Sequence, residues 1–534
     1  MLVISISNYI FSKFIGRKFD FYFSISFIII FTLIAGGSAS VIRASIMAIT
    51  NIILNLLLKK PNSVLNLSLS IFLILLYNPI GIENVGLILS VFGTIGIIFL
   101  SKTISEILNS FIRIKIIKET LAVTLSAQII LIPVLAYYFN NVSLLAIFSN
   151  LLIVPVTESL TLIGFVIFLI SLFSLSLART IAYIPTILIK YVIKMSSFCA
   201  NFELLNLEIP TPKLWMIVFY YIIIYVEFKR FFYKQNNQIF GMIYDFEIKK
   251  INYIRKLVYL LLVSIGILSF FVLKIPKNYT ELTAIDVGQG DSFLIKTSKG
   301  KNILIDGGGS ENGEYDVGEK VLVPYFLDRW ILNIDTVFIS HAHADHIEGI
   351  YSVIEKLNVK KVVVGASTSN NEYMNKLEKL CNYKNVKIIK VQTGDSIKID
   401  GINFEILHPR LNEKESNENN LSLLMRVTIN GIKILFTGDM EKDIEEQINF
   451  DVSADILKVS HHGSKTSTTA KFLESVGPRI SIVSVSENNL YGHPDSEVIN
   501  RLKMCSKVFI TKDSGEINFF IYKNGKIKVK THIR

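Results

Sequence analysis

Long apolar runs separated by short polar breaks fill the first half of the chain: Phe21 to Ile34, Ser40 to Leu58, Val64 to Tyr77, Val85 to Leu100, Leu121 to Phe139, Leu144 to Ile170, Leu214 to Phe228 and Leu257 to Leu273. A helix of about 20 apolar residues crosses a bilayer, so the pattern predicts roughly eight to ten membrane spans and leaves Ala178 to Phe198 undecided. From about Glu281 the period changes. Short β-rich runs such as TAIDVGQGDSFLI, DTVFISH, IKILFTGD and ADILKVSHH are broken by glycine and separated by helical stretches such as Asn371 to Cys381 and Asp495 to Met504. Strands interleaved with helices predict a layered α/β domain. The expected organisation is a polytopic α-helical membrane domain in residues 1–276 followed by an α/β domain in residues 277–534.

Composition sharpens the division. The 534 residues are 51% hydrophobic and 19% charged, with a mean hydropathy of +0.47, which excludes a disordered chain and a single soluble globule. The first 280 residues carry 23 Lys and Arg against 10 Asp and Glu, whereas the remainder carries 32 against 34. The basic excess therefore sits among apolar runs, where Lys and Arg mark cytoplasmic loops rather than a nucleic-acid surface. The segment between the last two runs holds Lys229, Arg230, Lys234, Lys249, Lys250, Arg255 and Lys256 against Asp245 and Glu247, which predicts a cytoplasmic loop. One further crossing from Leu257 then carries the C-terminal domain outside the cytoplasm. Within or beside the runs, Arg43, Glu119, Gln128, Asn150 and Glu158 are polar groups that lipid disfavours. They are expected to face a bundle interior or a wet cavity; the alternative is that Arg43 and Glu119 sit at interfaces or form a structural pair.

Three cysteines, Cys199, Cys381 and Cys505, are too few for a disulfide framework and form no CxxC pair. The eight histidines, by contrast, all lie after residue 340, so the chemistry is expected there. His341-Ala342-His343-Ala344-Asp345-His346 follows the strand DTVFIS and precedes an apolar helix. Imidazoles at i and i+2 leaving a strand point to one side, and the Asp-His pair just beyond them can reach a second metal. Asp439, in ILFTGDM, again lies just beyond a strand; alone it reads as turn chemistry, but beside the histidine motif it reads as a carboxylate able to bridge cations. His461 and His462 follow ADILKVS, and adjacent imidazoles there point apart, so one is expected on metal and the other toward substrate or solvent. His493, in YGHPDS, is a candidate last ligand or proton donor. His408, in ILHPR, either completes a metal shell or is structural.

The combination of HAHADH, TGD and SHHGS resembles the metallo-β-lactamase superfamily, which implies an αββα sandwich with a one- or two-metal hydrolytic site. More narrowly, IDVGQGDSFLI, IDGGG, LFTGDMEKDIE, LKVSHHGSKTST and YGHP are similar to the C-terminal domain of the ComEC competence family, and SASVIRASIMA, KETLAVTLSAQIILIPVLAYYF and SNLLIVP resemble that family's channel segments. Relative to the family the chain looks N-terminally shortened: extra spans and an OB-like module are missing, and ISISNY stands where a Ser-Gly-Leu-His segment is usual.

The resemblance implies DNA uptake, with one strand passed through the membrane domain and the other degraded outside. The implied partners are the lipid bilayer, DNA, and other competence proteins that supply a DNA receptor and a motor. It also implies that His341 and His343 hold one divalent cation and that Asp345, His346 and His462 hold another, with Asp439 bridging. Asp306 then orients an imidazole, and His493 or His461 protonates the leaving oxygen, so that Asp345, His461 and His493 carry the catalytic roles. Mixed imidazole and carboxylate ligands suit zinc, manganese or iron, of which zinc or manganese is expected. Two other readings stand beside this one. The first is a membrane-anchored hydrolase of envelope phosphoesters without DNA transport, and the second is a DNA transporter with a merely structural metal domain. The Lys523, Lys526, Lys528 and Lys530 series at the C-terminus reads as edge-strand protection in preference to a phosphate contact.

Overall fold

The computed structural model describes residues 17–235 apart from 58, 201 and 203–205, then 252–256 and 260, and residues 277–533 apart from 311–314, 369–370, 412, 414–416 and 488–490. The chain divides into two compact units, Met1–Leu260 and Leu261–Arg534.

The first unit is helical: α1 (Arg17–Ile34), α2 (Ala39–Leu56), α3 (Ser63–Tyr77), α4 (Val85–Leu108), α5 (Lys115–Phe139), α6 (Ala146–Ser171), α7 (Leu175–Ile181), α8 (Tyr183–Ala200) and α9 (Leu214–Gln235). Five stretches among the described residues are long and apolar enough to cross a membrane, namely α2, α4, α5, α6 and the Leu175–Ala200 segment formed by α7 and α8. That is fewer than the apolar runs alone suggest. The described parts of the Phe21 and Val64 runs form shorter apolar helices, and α9 carries Glu227, Lys229 and Arg230 in its second half. The predicted Leu257 to Leu273 span lies outside the described residues. Conversely, the undecided Ala178 to Phe198 stretch is helical, with Arg179, Lys190 and Lys194 diluting its apolar signal.

Close helix contact in this unit depends on a small residue. A Cβ at Gly96 would collide with the backbone carbonyl of Ser126, so α4 lies directly against α5 there. Arg43 donates from Nε to Ser90 Oγ at 2.7 Å and reaches Met47 Sδ at 3.1 Å. Glu119 instead lies 3.9 Å from Lys115 and is exposed, so these two expected partners do not pair with each other. Gln128 and Asn150 are half-buried, and the Glu158 side chain lies outside the described residues. Asn140 ends α5 in the left-handed conformation, and β1 (Asn141–Ser143) then pairs antiparallel with β2 (Asn206–Glu208). The Asn140 amide closes the junction by donating to Ile209 O and Thr211 Oγ1.

The second unit is a sandwich. In chain order its strands are β3 (Tyr279–Ala284), β4 (Phe293–Lys296), β5 (Asn302–Ile305), β6 (Asn333–Ile334), β7 (Thr336–Ile339), β8 (Asn358–Val359), β9 (Lys361–Gly365), β10 (Lys387–Val391), β11 (Ser396–Ile399), β12 (Ile402–His408), β13 (Leu424–Ile429), β14 (Ile432–Phe436), β15 (Ile456–Lys458), β16 (Ile480–Val483), β17 (Lys507–Ile510), β18 (Ile517–Tyr522) and β19 (Ile527–Thr531). One sheet runs β10-β9-β7-β5-β4-β3-β18-β19 and the other β11-β12-β13-β14-β15-β16-β17. The period-2 alternation of a strand sends successive side chains to opposite faces. In β7, Phe338 enters the core between the sheets while Val337 and Ile339 pack under helices. In β14, Ile434 and Phe436 face the inter-sheet core, and Leu435 joins the helical layer on the far side. The covering helices are α10 (Val323–Asp328), α11 (Ala344–Lys356) and α12 (Glu372–Lys384) on the first sheet, with α13 (Lys442–Glu445), α14 (Ala470–Val476) and α15 (Ser496–Cys505) on the second. The result is the αββα layering. All three cysteines are free thiols.

Gly96→Val tests the helix contact. Overpacking a tight interface costs about 1–3 kcal/mol, so the full chain in detergent should lose thermal stability. An unchanged Tm would show that α4 and α5 do not meet at this residue.

Candidate metal centre

The ends of five strands converge on one group of ionisable side chains. β7 runs into Ser340–His346, β5 into Asp306, β14 into Asp439, β15 into Lys458 and the two adjacent histidines, and β16 into Ser484. Asp291 comes from the loop between β3 and β4 and donates its backbone N–H to Asp345 O at 3.2 Å. The loop must approach closely, because a Cβ on Gly290 would collide with that same carbonyl. Asp345 and His346 open α11, whose N-terminal dipole favours the carboxylate.

Asp345, His346, Asp439 and His462 each offer one ligand atom within 4.8 Å of all the others. His462 Nε2 lies 3.2 Å from Asp345 Oδ2 and 3.3 Å from Asp439 Oδ2, and His346 Nε2 lies 3.3 Å from Asp439 Oδ2. Both imidazoles are oriented from behind. His462 Nδ1 donates to the Ser484 carbonyl at 2.9 Å, and His346 Nδ1 donates to Asp306 Oδ2 at 3.1 Å, so each ring turns Nε2 toward the carboxylates. Asp306 is itself held by the Ser340 N–H at 2.7 Å, in a left-handed backbone conformation with φ +57°. His461 and His462 also have positive φ, +47° and +53°. Strained backbone of this kind costs on the order of 1–3 kcal/mol per residue and persists only where surrounding contacts enforce it.

The adjacent pair diverges. While His462 faces the carboxylates, His461 Nδ1 lies 3.3 Å from Glu441 Oε1, and its ring is 5.5 Å from that of His493. His493 stacks on Tyr491. His341 and His343 form a neighbouring pair, with His341 Nε2 3.1 Å from His343 Nδ1 and the His341 ring 4.2 Å from that of His346. The other edge of His343 is 3.4 Å from Glu418 Oε2. His408 is not brought into this group: Nδ1 donates to Ser422 O at 2.9 Å and Nε2 is 3.1 Å from Glu413.

Two residues of the site escape a reading of the motifs alone, Asp291 and Lys458. Both are buried, and the Lys458 ammonium is ion-paired to Asp291, donates to Gly438 O at 2.7 Å and lies 3.3 Å from Asp439 Oδ1. Each lies within a quoted segment, but nothing in strand periodicity says that this lysine turns inward.

Electrostatics follows from crowding acids out of water. Burial disfavours the His462 imidazolium most, yet Asp439 and Asp291 overcome it and push the group up to about 10. For Asp439, burial favours the neutral acid most, but His462, His346 and Lys458 together hold the carboxylate well below its usual range. For His341, burial followed by repulsion from His346 outweighs the support of Asp439 and Asp345 and holds the imidazole well below its usual range, neutral and with a lone pair available. Charge compensation of this kind is what a cation would supply. His346 Nε2 is buried without a hydrogen-bond partner, which fits an atom meant for a metal, and the donor set of two imidazoles and two carboxylates suits a divalent ion.

Comparison with known proteins agrees with both units. Residues 1–231 match the Competence protein family, and residues 285–487 match the metallo-beta-lactamase superfamily. ComE operon protein 3 of Bacillus subtilis (strain 168) is 27% identical over 520 residues, 93% of this chain and 63% of that protein. Competence protein ComA of Neisseria gonorrhoeae is 27% identical over 265 residues, 49% of this chain and 35% of that protein. The chain thus spans less than two thirds of either relative. The crystal structure of the metallo-beta-lactamase fold protein YhfI from Bacillus subtilis aligns with 43% of this chain and 96% of its own, at 16% identity and a TM-score of 0.30. With its apolar helices followed by the layered α/β unit, the chain is similar to the competence protein family over its first unit and to the metallo-beta-lactamase superfamily over most of its second.

Proposed function

We propose that this membrane protein takes part in DNA uptake and that its second unit is a metal-dependent phosphodiesterase acting outside the cytoplasm. The observation that carries the reading is the convergence of Asp345, His346, Asp439 and His462 at the strand ends of a unit similar to the metallo-beta-lactamase superfamily, in a chain whose first unit is similar to the competence family. In this reading those four residues hold one divalent cation. His341 and His343, whose ring nitrogens converge at 3.1 Å, hold a second, with Asp439 between the two groups. Zinc or manganese is the expected metal. A cation there lowers the pKa of water and withdraws charge from phosphoryl oxygens.

The remaining work belongs to the chain. Asp306 and the Ser484 carbonyl fix the tautomers of His346 and His462, so that both Nε2 atoms are presented without a conformational search. Asp345, at the N-terminus of α11, adds negative charge on the side of His462. His461 and His493, adjacent on the less buried side, are placed to hand a proton to the leaving oxygen. The basic loop before Leu257 supports the outside location of this unit, and the membrane unit then passes a single strand inward, with partner proteins supplying the DNA receptor and the motor.

Three experiments test the reading. Full-length protein loaded with zinc or with manganese should cleave DNA, and His343→Ala and Asp439→Ala should each abolish cleavage without loss of fold. Turnover of a small phosphodiester with no cleavage of DNA would point instead to an envelope phosphoesterase. Asp306→Asn, which removes only the orienting charge, should lower metal affinity about 10–100-fold; unchanged affinity would assign Asp306 to folding alone. A reporter fused after Arg534 should be active only outside the cytoplasm, and activity inside would overturn the topology.

A further inference from the structure

Behind the four-residue group lies a second set of convergent acids. Asp291, Asp306 and His346 also bring ligand atoms within 4.8 Å of one another. With Lys458, Ser340 and Gly438, the two acids border a cavity of about 10 Å³, enough for about one water. By composition this is a second candidate metal site, with three ligand groups against four in the first. The two groups share His346 but use opposite edges of its ring, and a neutral imidazole has only one lone pair to give. Nδ1 faces Asp306 Oδ2 at 3.1 Å and Asp291 Oδ2 at 3.7 Å, and it spends its proton on Asp306. A cation that displaces the other proton therefore finds the lone pair on Nε2, in the front group.

The rear group holds a cation already. Lys458 ends β15, its side chain is 2% exposed, and its ammonium is ion-paired to Asp291, whose side chain is 1% exposed. The same ammonium lies 3.3 Å from Asp439 Oδ1 and donates to the Gly438 carbonyl. Asp291 has no comparable alternative. The next groups are His346 Nδ1 at 3.7 Å and His462 Nδ1 at 3.8 Å, and their protons are donated to Asp306 Oδ2 and to Ser484 O. A carboxylate buried without a counter-charge costs several kcal/mol, and a lysine buried without an anion costs as much. Asp291 is tolerable there only because of Lys458, and Lys458 only because of Asp291 and Asp439.

We propose that Lys458 is a built-in cation, whose ammonium occupies the place of a metal ion between Asp291 and Asp439 and closes the rear group to metal. By engaging Asp439 Oδ1, it leaves Oδ2 for His346 and His462. Lys458 is thus a positioning residue: it touches neither substrate nor the reacting atoms. The inference rests on the metal reading of the front group only for where the first cations bind.

The test compares metal content and stability across three forms of the full chain in detergent. Wild type, Lys458→Met and the double variant Lys458→Met/Asp291→Asn are dialysed against manganese, and the bound metal per chain and the Tm with and without manganese are measured. Lys458→Met removes the ammonium but keeps the acid, so it should retain an additional manganese equivalent and show a larger metal-dependent rise in Tm than wild type. The double variant removes both charges and should return to the wild-type metal count. A wild-type count in Lys458→Met, or a raised count in the double variant, would overturn the proposal. If Lys458→Met alone does not fold, a folded double variant with the wild-type count still supports it, because the uncompensated acid is then the cause. Failure of both to fold would make Lys458 a packing element and overturn the idea. Wild-type protein that binds no manganese would refute the metal reading of the front group, while an equivalent gained by Lys458→Met would still uphold the role of Lys458.

Discussion

Four carboxylates are buried at one end of a β-sandwich, and the second unit is organised around compensating them there. Asp291, Asp306, Asp345 and Asp439 are between 1% and 9% exposed. So many acids withdrawn from water repel one another and lose hydration, a cost that only nearby positive charge can offset. The chain supplies part of it through Lys458 and through the imidazoles of His346 and His462, which their acidic neighbours hold in the protonated form. A divalent cation in the front group would complete the compensation and displace those protons, so folding and metal binding draw on the same electrostatic imbalance.

Rigid strand ends turn this imbalance into a site. Neighbouring parallel strands such as β5 and β7, or β14, β15 and β16, end side by side, so their following residues arrive together without long loops. Phe338 and Phe404, stacked with centroids 5.0 Å apart, anchor the inter-sheet core beneath. The left-handed backbone at Asp306, His461 and His462 shows where the chain bends against its preferences to aim a side chain. That strain sits beside the ligands, where the sandwich is stiff enough to impose it.

Much of this was legible in the sequence, and the exceptions have physical causes. The strand-end positions of HAHADH, TGD and SHHGS follow from alternating apolar residues that stop abruptly at a polar cluster. The layering follows from the change of hydrophobic period near Glu281. Lys458 was not legible, since a lysine in the strand ILK reads as solvent-facing, and only the acids from β14 and the β3–β4 loop make its burial tolerable. Asp291 sits in a Gly-Gln-Gly-Asp turn that looks like ordinary loop chemistry. Nor did the sequence separate His408 from the other histidines: a partner five residues on, Glu413, and the Ser422 carbonyl hold it apart. In the membrane unit the apolar runs marked helices well, and among the described residues α1, α3 and α9 fall short of the spanning criteria because length and apolarity diverge in them.

Everything in the proposed chemistry depends on the front group holding a metal through two imidazoles and two carboxylates. X-ray absorption at the zinc edge, recorded on full-length protein loaded with zinc in detergent, tests it most directly. The expected spectrum shows a shell of nitrogen and oxygen with imidazole outer-shell scattering, weakened in His462→Ala. A sulfur shell, or a spectrum identical in wild type and His462→Ala, would contradict it.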